Sequence, residues 1–377
     1  MSDLGLQLQQ ATGQLPVSCY LDQALYQREL ETIFRSGPRY VGHALSVPQV
    51  GDYAVLPQEA LGRALVRTSG GIELVSNVCR HRQAVMLKGR GSLHTTHAGA
   101  SAGNIVCPLH RWTYHGGDAQ AVGRLIGAPH FAQDPCLHLN NYKLREWNGL
   151  LFEDNGRDVK ADLANLGPRS DLDFRGFVLD KVELHECNYN WKTFIEVYLE
   201  DYHIGPFHPG LSSAVTCSDL RWELKENYSV QTVGAAHGAP AGSPVYRRWL
   251  DALRTYGNGE PPRQGAIWLT YYPHIMVEWY PCVLIVSSVH PVGVSKTVNM
   301  IEFFYPEEIA AFEREFVDAQ QAAYMETCVE DDEIGERMDA GRQALARRGD
   351  NETGPYQSPM EDGMRHFHDW YRRQIGR

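Results

Sequence analysis

The 377-residue chain has no long hydrophobic run: none approaches the roughly 20 residues that a bilayer-spanning helix needs. Met1 to Pro16 also lacks a basic stretch followed by an apolar one, so no membrane span and no secretory signal are expected. Positive charge is in short supply. Thirty-five Lys and Arg stand against 46 Asp and Glu, leaving −11 at pH 7. With the acids scattered, this argues against non-specific binding to nucleic acid or to anionic membranes. Cysteine is thin on the ground, eight residues dispersed over the whole length. That is no secreted disulfide framework, and a reducing cytosol is the expected compartment. No Gly-x-Gly-x-x-Gly follows a strand-like run, so NADH is not bound by that route. No internal repeat is evident. What remains is 43% apolar and 21% charged, a globular composition with length for two domains.

Periodicity divides the chain. Leu21 to Phe34 carries apolar residues at helical spacing, and Ser36-Gly37-Pro38 stops it. From Tyr40 to Glu153 the texture is short β-rich runs punctuated by Gly and Pro, which predicts a small all-β domain. Within it, residues 89–103 are rich in Gly, Ala and Ser and read as a flexible, projecting loop, with His94 and His97 as solvated loop residues. Residues 154–173 read as a polar linker. Asn188-Tyr-Asn-Trp191 opens a helix expected to run to Ile204. Runs of strand length between 221 and 305, separated by short turns, predict an antiparallel meander. Helical patterns follow at 307–346 and 364–375.

Two stretches carry chemistry. The first is Glu200-Asp-Tyr-His203-Ile-Gly-Pro-Phe-His208-Pro209. Glu200 and His203 are three apart and share a helical face. His203 and His208 are five apart, and a continuous helix would turn them away from each other. Gly205-Pro206 is expected to end the helix and let His208 swing back. Two imidazoles and one carboxylate form the facial triad of non-haem Fe(II) oxygen chemistry. The plain alternative is a helix end bearing two surface histidines. The second stretch is Cys79-Arg-His81 with Cys107-Pro-Leu-His110. Two thiolates and two imidazoles suit a [2Fe–2S] cluster in which histidines replace two cysteines. Tetrahedral zinc is the alternative, although Cys-x-His is tighter than usual finger spacing.

The third iron ligand must be an acid. Glu200 is one candidate, and the acid-rich run 326–336 offers others. Asp331 falls on the stripe of Tyr324, Cys328, Ile334, Gly335 and Met338, while Asp332 has Glu336 and Asp339 below it. An acid among apolar neighbours needs a partner to offset its desolvation, so Asp331 is preferred.

Cys79-Arg-His-Arg82 and Cys107-Pro-Leu-His-Arg-Trp-Thr-Tyr114 resemble the two cluster loops of Rieske proteins. Together with Asn190-Trp-Lys192 and the Glu-x-Tyr-His-x4-His-Pro of residues 200–209, they make nearly the whole chain resemble the α subunit of Rieske-type non-haem iron ring-hydroxylating oxygenases. The resemblance implies an α+β architecture. An all-β Rieske domain would span 40–155. A helix-grip catalytic domain of the START/Bet v 1 kind would comprise 1–39 and 156–377. Cys79 and Cys107 would ligate one iron of the [2Fe–2S] cluster and His81 and His110 the other. His203, His208 and Asp331 would hold the mononuclear Fe(II), and Glu336 and Gly341 fit the helix pattern downstream. Glu200 would bridge His203 to His110 of a neighbouring subunit, which implies a ring-shaped homotrimer. Electrons would come from a separate NAD(P)H-dependent reductase, with or without a ferredoxin. Glu at the bridge, with Gly205-Pro206-x-His208-Pro209-Gly210, is similar to the branch of choline, carnitine and glycine betaine monooxygenases, which also holds many oxygenases of aromatic compounds. The chain departs from the pattern in its long 89–103 loop and in Val197, where the family often has Asn.

The expected reaction is hydroxylation or oxidative dealkylation of a small organic substrate, with an aromatic one favoured. Trp268, Tyr271, Tyr272, Trp279 and Tyr280 are candidates to line the cavity. A cage built from them would instead suit a quaternary ammonium compound. Two readings of other classes are an electron carrier that lacks the mononuclear iron and a binding module with structural zinc.

Overall fold

The computed structural model describes residue 8 and residues 13–96, 102–117, 121–131, 134–167, 169–236, 242–257 and 262–376. The chain is α+β and divides into two compact units, residues 38–159 and residues 1–37 with 160–377. Among the described residues no helix is long and apolar enough to cross a membrane.

The 38–159 unit is all antiparallel. Its largest sheet has five strands, ordered Arg90–Ser92, Asp52–Val55, Arg63–Thr68, Gly71–Ser76 and Asn141–Tyr142. A three-stranded sheet of Asn104–Val106, Thr113–His115 and Leu125–Gly127 carries the second Cys/His loop. Val55, Ala64, Val66 and Val75 pack with Cys79, Cys107, Trp112 and Tyr114 in one core. The 89–103 segment does not simply project. Arg90–Ser92 adds an edge strand beside Asp52–Val55, and Leu93 is buried in that core. His94 is exposed, and His97 lies outside the described residues.

The other unit is built on a seven-stranded antiparallel sheet. Its strands are β1 (Phe177–Cys187), β2 (Val215–Lys225), β3 (Tyr228–Ala235), β4 (Ala266–Tyr271), β5 (Ile275–Tyr280), β6 (Val283–Gly293) and β7 (Lys296–Pro306). The order across the sheet is β1-β7-β6-β5-β4-β3-β2. Strands β2 to β7 form the expected meander, whereas β1 and β2 lie at opposite edges. The connection between them, residues 188–214, has to travel from one edge to the other, and it carries Glu200, His203 and His208. Strands β3 and β4 are buried along their whole length, as expected of strands covered on both faces.

Six helices matter to the site: α1 (Gln23–Glu29), α2 (Trp191–Tyr198), α3 (Ile204–Phe207), α4 (Pro244–Tyr256), α5 (Arg314–Arg348) and α6 (Asp362–Ile375). Phe316, Val317, Ala319 and Ala323 of α5 and Tyr246 and Trp249 of α4 pack with Trp268, Tyr280, Ile285 and Phe303 of the sheet. Trp191 and Ile195 of α2 share a second core with Phe367, Trp370 and Tyr371 of α6. Each Val, Ile or Phe among them contributes about 1.5–3 kcal/mol by leaving water.

Several boundaries differ from those expected. Asp22 is extended and its carboxylate accepts from the Leu25 N–H at 2.8 Å, which splits the first helix there. Residues 154–173 are no loose linker, because Val159, Leu163, Leu166 and Leu172 are buried. The 307–346 helix is interrupted at Glu313. Helix α2 ends at Tyr198 rather than near Ile204. Gly205-Pro206 does not break a helix but sits inside α3. A proline in a first turn loses no intrahelical bond, since those N–H groups have no partner there in any case.

Candidate active site

Asn190 pins the start of α2. The Asn190 carboxamide caps it by accepting from the Lys192 N–H at 2.9 Å, and the Asn190 N–H donates to Asp339 of α5 at 2.7 Å. Beyond Tyr198 the chain turns. Glu200 accepts the His203 N–H at 3.1 Å, so the carboxylate and the imidazole come together across a turn rather than along a helix.

His203, His208 and Asp331 meet. The two Nε2 atoms are 3.0 Å apart, and Asp331 Oδ1 lies 2.9 Å from His208 Nε2 and 3.5 Å from His203 Nε2. The far nitrogen of each ring faces another acid. His208 Nδ1 is 2.6 Å from Glu330. His203 Nδ1 is 2.5 Å from Glu200, although out of line for a straight hydrogen bond. A neutral imidazole that keeps its proton beside a carboxylate presents a lone pair at the other nitrogen. Two lone pairs and a carboxylate oxygen then face one point. Asp331 Oδ1 is buried without a hydrogen-bond donor. A proton on one ring or a bound metal cation satisfies all three, and two nitrogens with one oxygen suit ferrous iron. Burial by itself would lower His203, but Asp331 and Glu200 override it and hold the group up at about 10. Burial would raise Asp331, and the two histidines hold it below the usual carboxylate range.

Asp332 faces elsewhere. It lies 2.7 Å from His185 Nε2 and accepts from the Tyr189 hydroxyl at 3.0 Å. This brace, with Cys187 beside it, sets the rotation of α5 and leaves Asp331 toward the histidines. The sequence reading missed Glu330, which it counted among the solvated acids of α5. Glu330 lies one residue before Asp331, and only the position of His208 singles it out.

The Cys/His loops share one construction. Cys79 N–H donates to Ala84 and Gln83 N–H returns to Cys79, at 2.9 and 3.1 Å. Cys107 N–H donates to Trp112 and Arg111 N–H returns to Cys107, at 2.8 and 3.1 Å. Gln83 and Arg111 both take a positive φ to close these turns. Both sulfurs are buried, and the Tyr114 hydroxyl lies 3.5 Å from Cys79 Sγ. Burial raises the Cys107 thiol, while the N–H groups of Leu109 and His110 aim at its sulfur and oppose that rise. The His81 and His110 rings are 4.7 Å apart, and His81 Nδ1 is buried with no partner. Among the described residues no three of these four donors lie mutually within 4.8 Å. Four ligands of one tetrahedral zinc would, at bonds of about 2.0–2.3 Å. The set fits a binuclear cluster.

A cleft lies over His203, His208 and Asp331, lined also by Val197, Trp249, Trp268, Glu278, Tyr280 and Tyr324. Strand alternation explains which expected aromatics reach it. Trp268 pairs directly across from Glu278, with Tyr280 two residues on, so these share a face. Tyr271 and Trp279 take the opposite face, and the Tyr272 hydroxyl lies against His366 at 3.0 Å. Two buried acids line the cleft besides Asp331. Asp201 is held by the Gln231 amide, and Glu278 by phenols.

The Rieske [2Fe-2S] domain family matches residues 40–143, and the ring hydroxylating alpha subunit (catalytic domain) family matches residues 171–377. The chain is 62% identical to the putrescine 2-hydroxylase of Ralstonia nicotianae, over 99% of each chain. It is 56% identical to the putrescine 2-hydroxylase of Bordetella bronchiseptica, over 100% of this chain and 88% of the relative. Among solved structures, a quaternary ammonium Rieske monooxygenase with L-carnitine superposes with a TM-score of 0.70 at 19% identity, covering 95% of this chain and 94% of that one. Naphthalene 1,2-dioxygenase from Rhodococcus sp. superposes with a TM-score of 0.71 at 18% identity, covering 100% and 98%. At those identities the likeness shows the fold alone.

Proposed function

This chain belongs to the Rieske-type ring-hydroxylating oxygenase α subunits, and from that we propose that it hydroxylates a short aliphatic diamine of the putrescine kind. The observation that carries the reading is the pair of relatives at 62% and 56% identity, both named putrescine 2-hydroxylase. It replaces the aromatic substrate expected from the sequence. The cavity, about 90 Å³, favours a small substrate. Its buried acids favour a cation over a neutral ring.

In this reading Cys79, Cys107, His81 and His110 hold the Rieske cluster, and His203, His208 and Asp331 hold the mononuclear iron. When bound, the cluster supplies single electrons and the iron supplies the dioxygen chemistry. The protein's own part is positional. Glu200 and Glu330 fix the ring orientation of His203 and His208, each from the far nitrogen. Val197, Trp249 and Trp268 line the cleft with apolar surface, which keeps water from competing with substrate. Exposed His110 is the edge from which electrons would leave the cluster. We place Glu200 as the bridge from His203 to His110 of a neighbouring subunit in a trimer, with a separate NAD(P)H-dependent reductase as donor.

The test is turnover with a surrogate reductase and NADH on a panel of putrescine, L-carnitine, choline and naphthalene. Hydroxylated putrescine, with NADH use matched to product, is the expected result. Turnover of L-carnitine or naphthalene with none of putrescine would overturn the substrate reading.

A further inference from the structure

We infer that Glu278 is the counter-ion that seats one ammonium group of the diamine substrate, so that the charge of this residue selects amines over neutral chains. The inference rests on the diamine reading above and assigns it to a residue.

Glu278 is buried in the middle of β5, within Ile275-Met-Val-Glu-Trp-Tyr280. Its partners are phenols. The Tyr324 hydroxyl donates to Oε1 at 2.8 Å and the Tyr280 hydroxyl donates to Oε2 at 3.2 Å. Tyr280 in turn accepts from the Trp268 indole N–H at 2.9 Å, which orients its hydroxyl toward the acid. Among the described residues no Lys, Arg or His pairs with Glu278, although Glu29, Glu196 and Asp331 in the same unit each have a cationic or imidazole partner. A carboxylate buried without a cation is costly. Burial accordingly raises Glu278 to about 7, against the pull of its phenol donors. An ammonium ligand removes that cost by supplying the missing charge. The surroundings suit it: Tyr198, Trp268, Tyr280 and Tyr324 put aromatic surface around the acid, and aromatic faces attract cations. The same cleft holds the iron-site donors, so an ammonium at Glu278 leaves the carbon chain to extend toward them. Asp201 is the other acid in the cleft without a cation pair, with Oδ2 buried and unpartnered. It sits beside Glu200, on the chain turn rather than among the aromatics.

The assignment is tested on the holoenzyme with Glu278→Gln, Asp201→Asn and the parent. Calorimetric binding of 1,4-diaminobutane, performed anaerobically without reductant, is set beside binding of 1,4-butanediol, and kcat and KM are measured for the diamine. Melting temperature and cluster absorbance check that each variant is intact. For Glu278→Gln, diamine affinity should fall about 100-fold, the usual scale for removing one partner of a buried charge pair. The loss should fall on KM, with the diol bound as in the parent. Equal losses for diamine and diol mean a structural role and overturn the assignment. So does parent-like diamine binding by Glu278→Gln, or a selective loss found only in Asp201→Asn. If the parent itself neither binds nor hydroxylates the diamine, the substrate reading has failed and the assignment goes with it. If the parent turns the diamine over and Glu278→Gln matches it, the assignment alone has failed.

Discussion

Glu278 titrates near neutrality because burial outweighs its hydrogen bonds, at about 7 against an ordinary 4.5. The folded chain therefore holds this proton more tightly than the unfolded chain does. Between pH 4.5 and 7 stability falls as pH rises, by roughly 3 kcal/mol at 1.36 kcal/mol per unit. Glu278→Gln removes the effect. Without substrate, the variant should melt with the parent near pH 5 and above it at pH 8. Scanning calorimetry at the two pH values checks this, and a variant no more stable at pH 8 would contradict it. Stability gained at the expense of substrate binding is the usual bargain of a binding site. Glu330 offers a second prediction at this scale. It meets His208 at 2.6 Å. Glu330→Gln should weaken mononuclear iron about 10- to 100-fold while leaving the cluster spectrum unchanged. Iron titration followed by metal analysis reads the result.

The elements that carry the site are held by a buried ionic network. Lys192 of α2 donates to Glu29 at the end of α1 at 2.7 Å, with both side chains fully buried. Glu29 also accepts from the Trp191 indole at 2.9 Å and from the Tyr371 hydroxyl of α6. One carboxylate thus ties three helices. Lys192→Met leaves it buried and unpaired, which costs about 3–5 kcal/mol and should lower the melting temperature by roughly 10 °C. Adding Glu29→Gln should restore part of the loss, and no recovery in the double variant would count against the pair. Gly335 shows why α5 can lie where it does. A Cβ there would come within 2.9 Å of the Tyr189 ring, the residue that braces Asp332. Gly341, singled out by the family pattern, meets nothing within 4 Å.

For the whole molecule, the proposed route takes electrons from one subunit's cluster to its neighbour's iron. Trimers mixed from Cys107→Ala and His203→Ala chains should then regain activity that neither parent variant has. A hybrid subunit pair keeps one intact cluster beside one intact iron site. Refolding or co-expressing the two variants and measuring coupled turnover checks this. Mixed trimers as inactive as their parents would mean that electrons do not cross between subunits.

How much was legible in the sequence follows from the range over which each signal acts. Cys79-x-His81 and Cys107-x2-His110 are local motifs, and their loops close through hydrogen bonds only five residues long. The meander of β2 to β7 was readable because short turns join strands that pair with their chain neighbours. His203 and His208 are legible as a pair, but a carboxylate-capped turn brings them together rather than a proline break. Helical periodicity placed Asp331 on the inward stripe, since a helix carries a face along its length. The partners of these residues were not legible. Glu330, Glu278 and the Asp332 brace owe their roles to residues more than 40 positions away. A lone acid in an apolar strand was a visible anomaly at Glu278, but nothing in the strand said which aromatics would surround it. By itself the sequence determined the ligand types and the local turns, because those depend on chain neighbours. Only the tertiary structure decided which acids serve the histidines and which acid awaits a cation, because charge and burial there are set by elements that meet across the sheet.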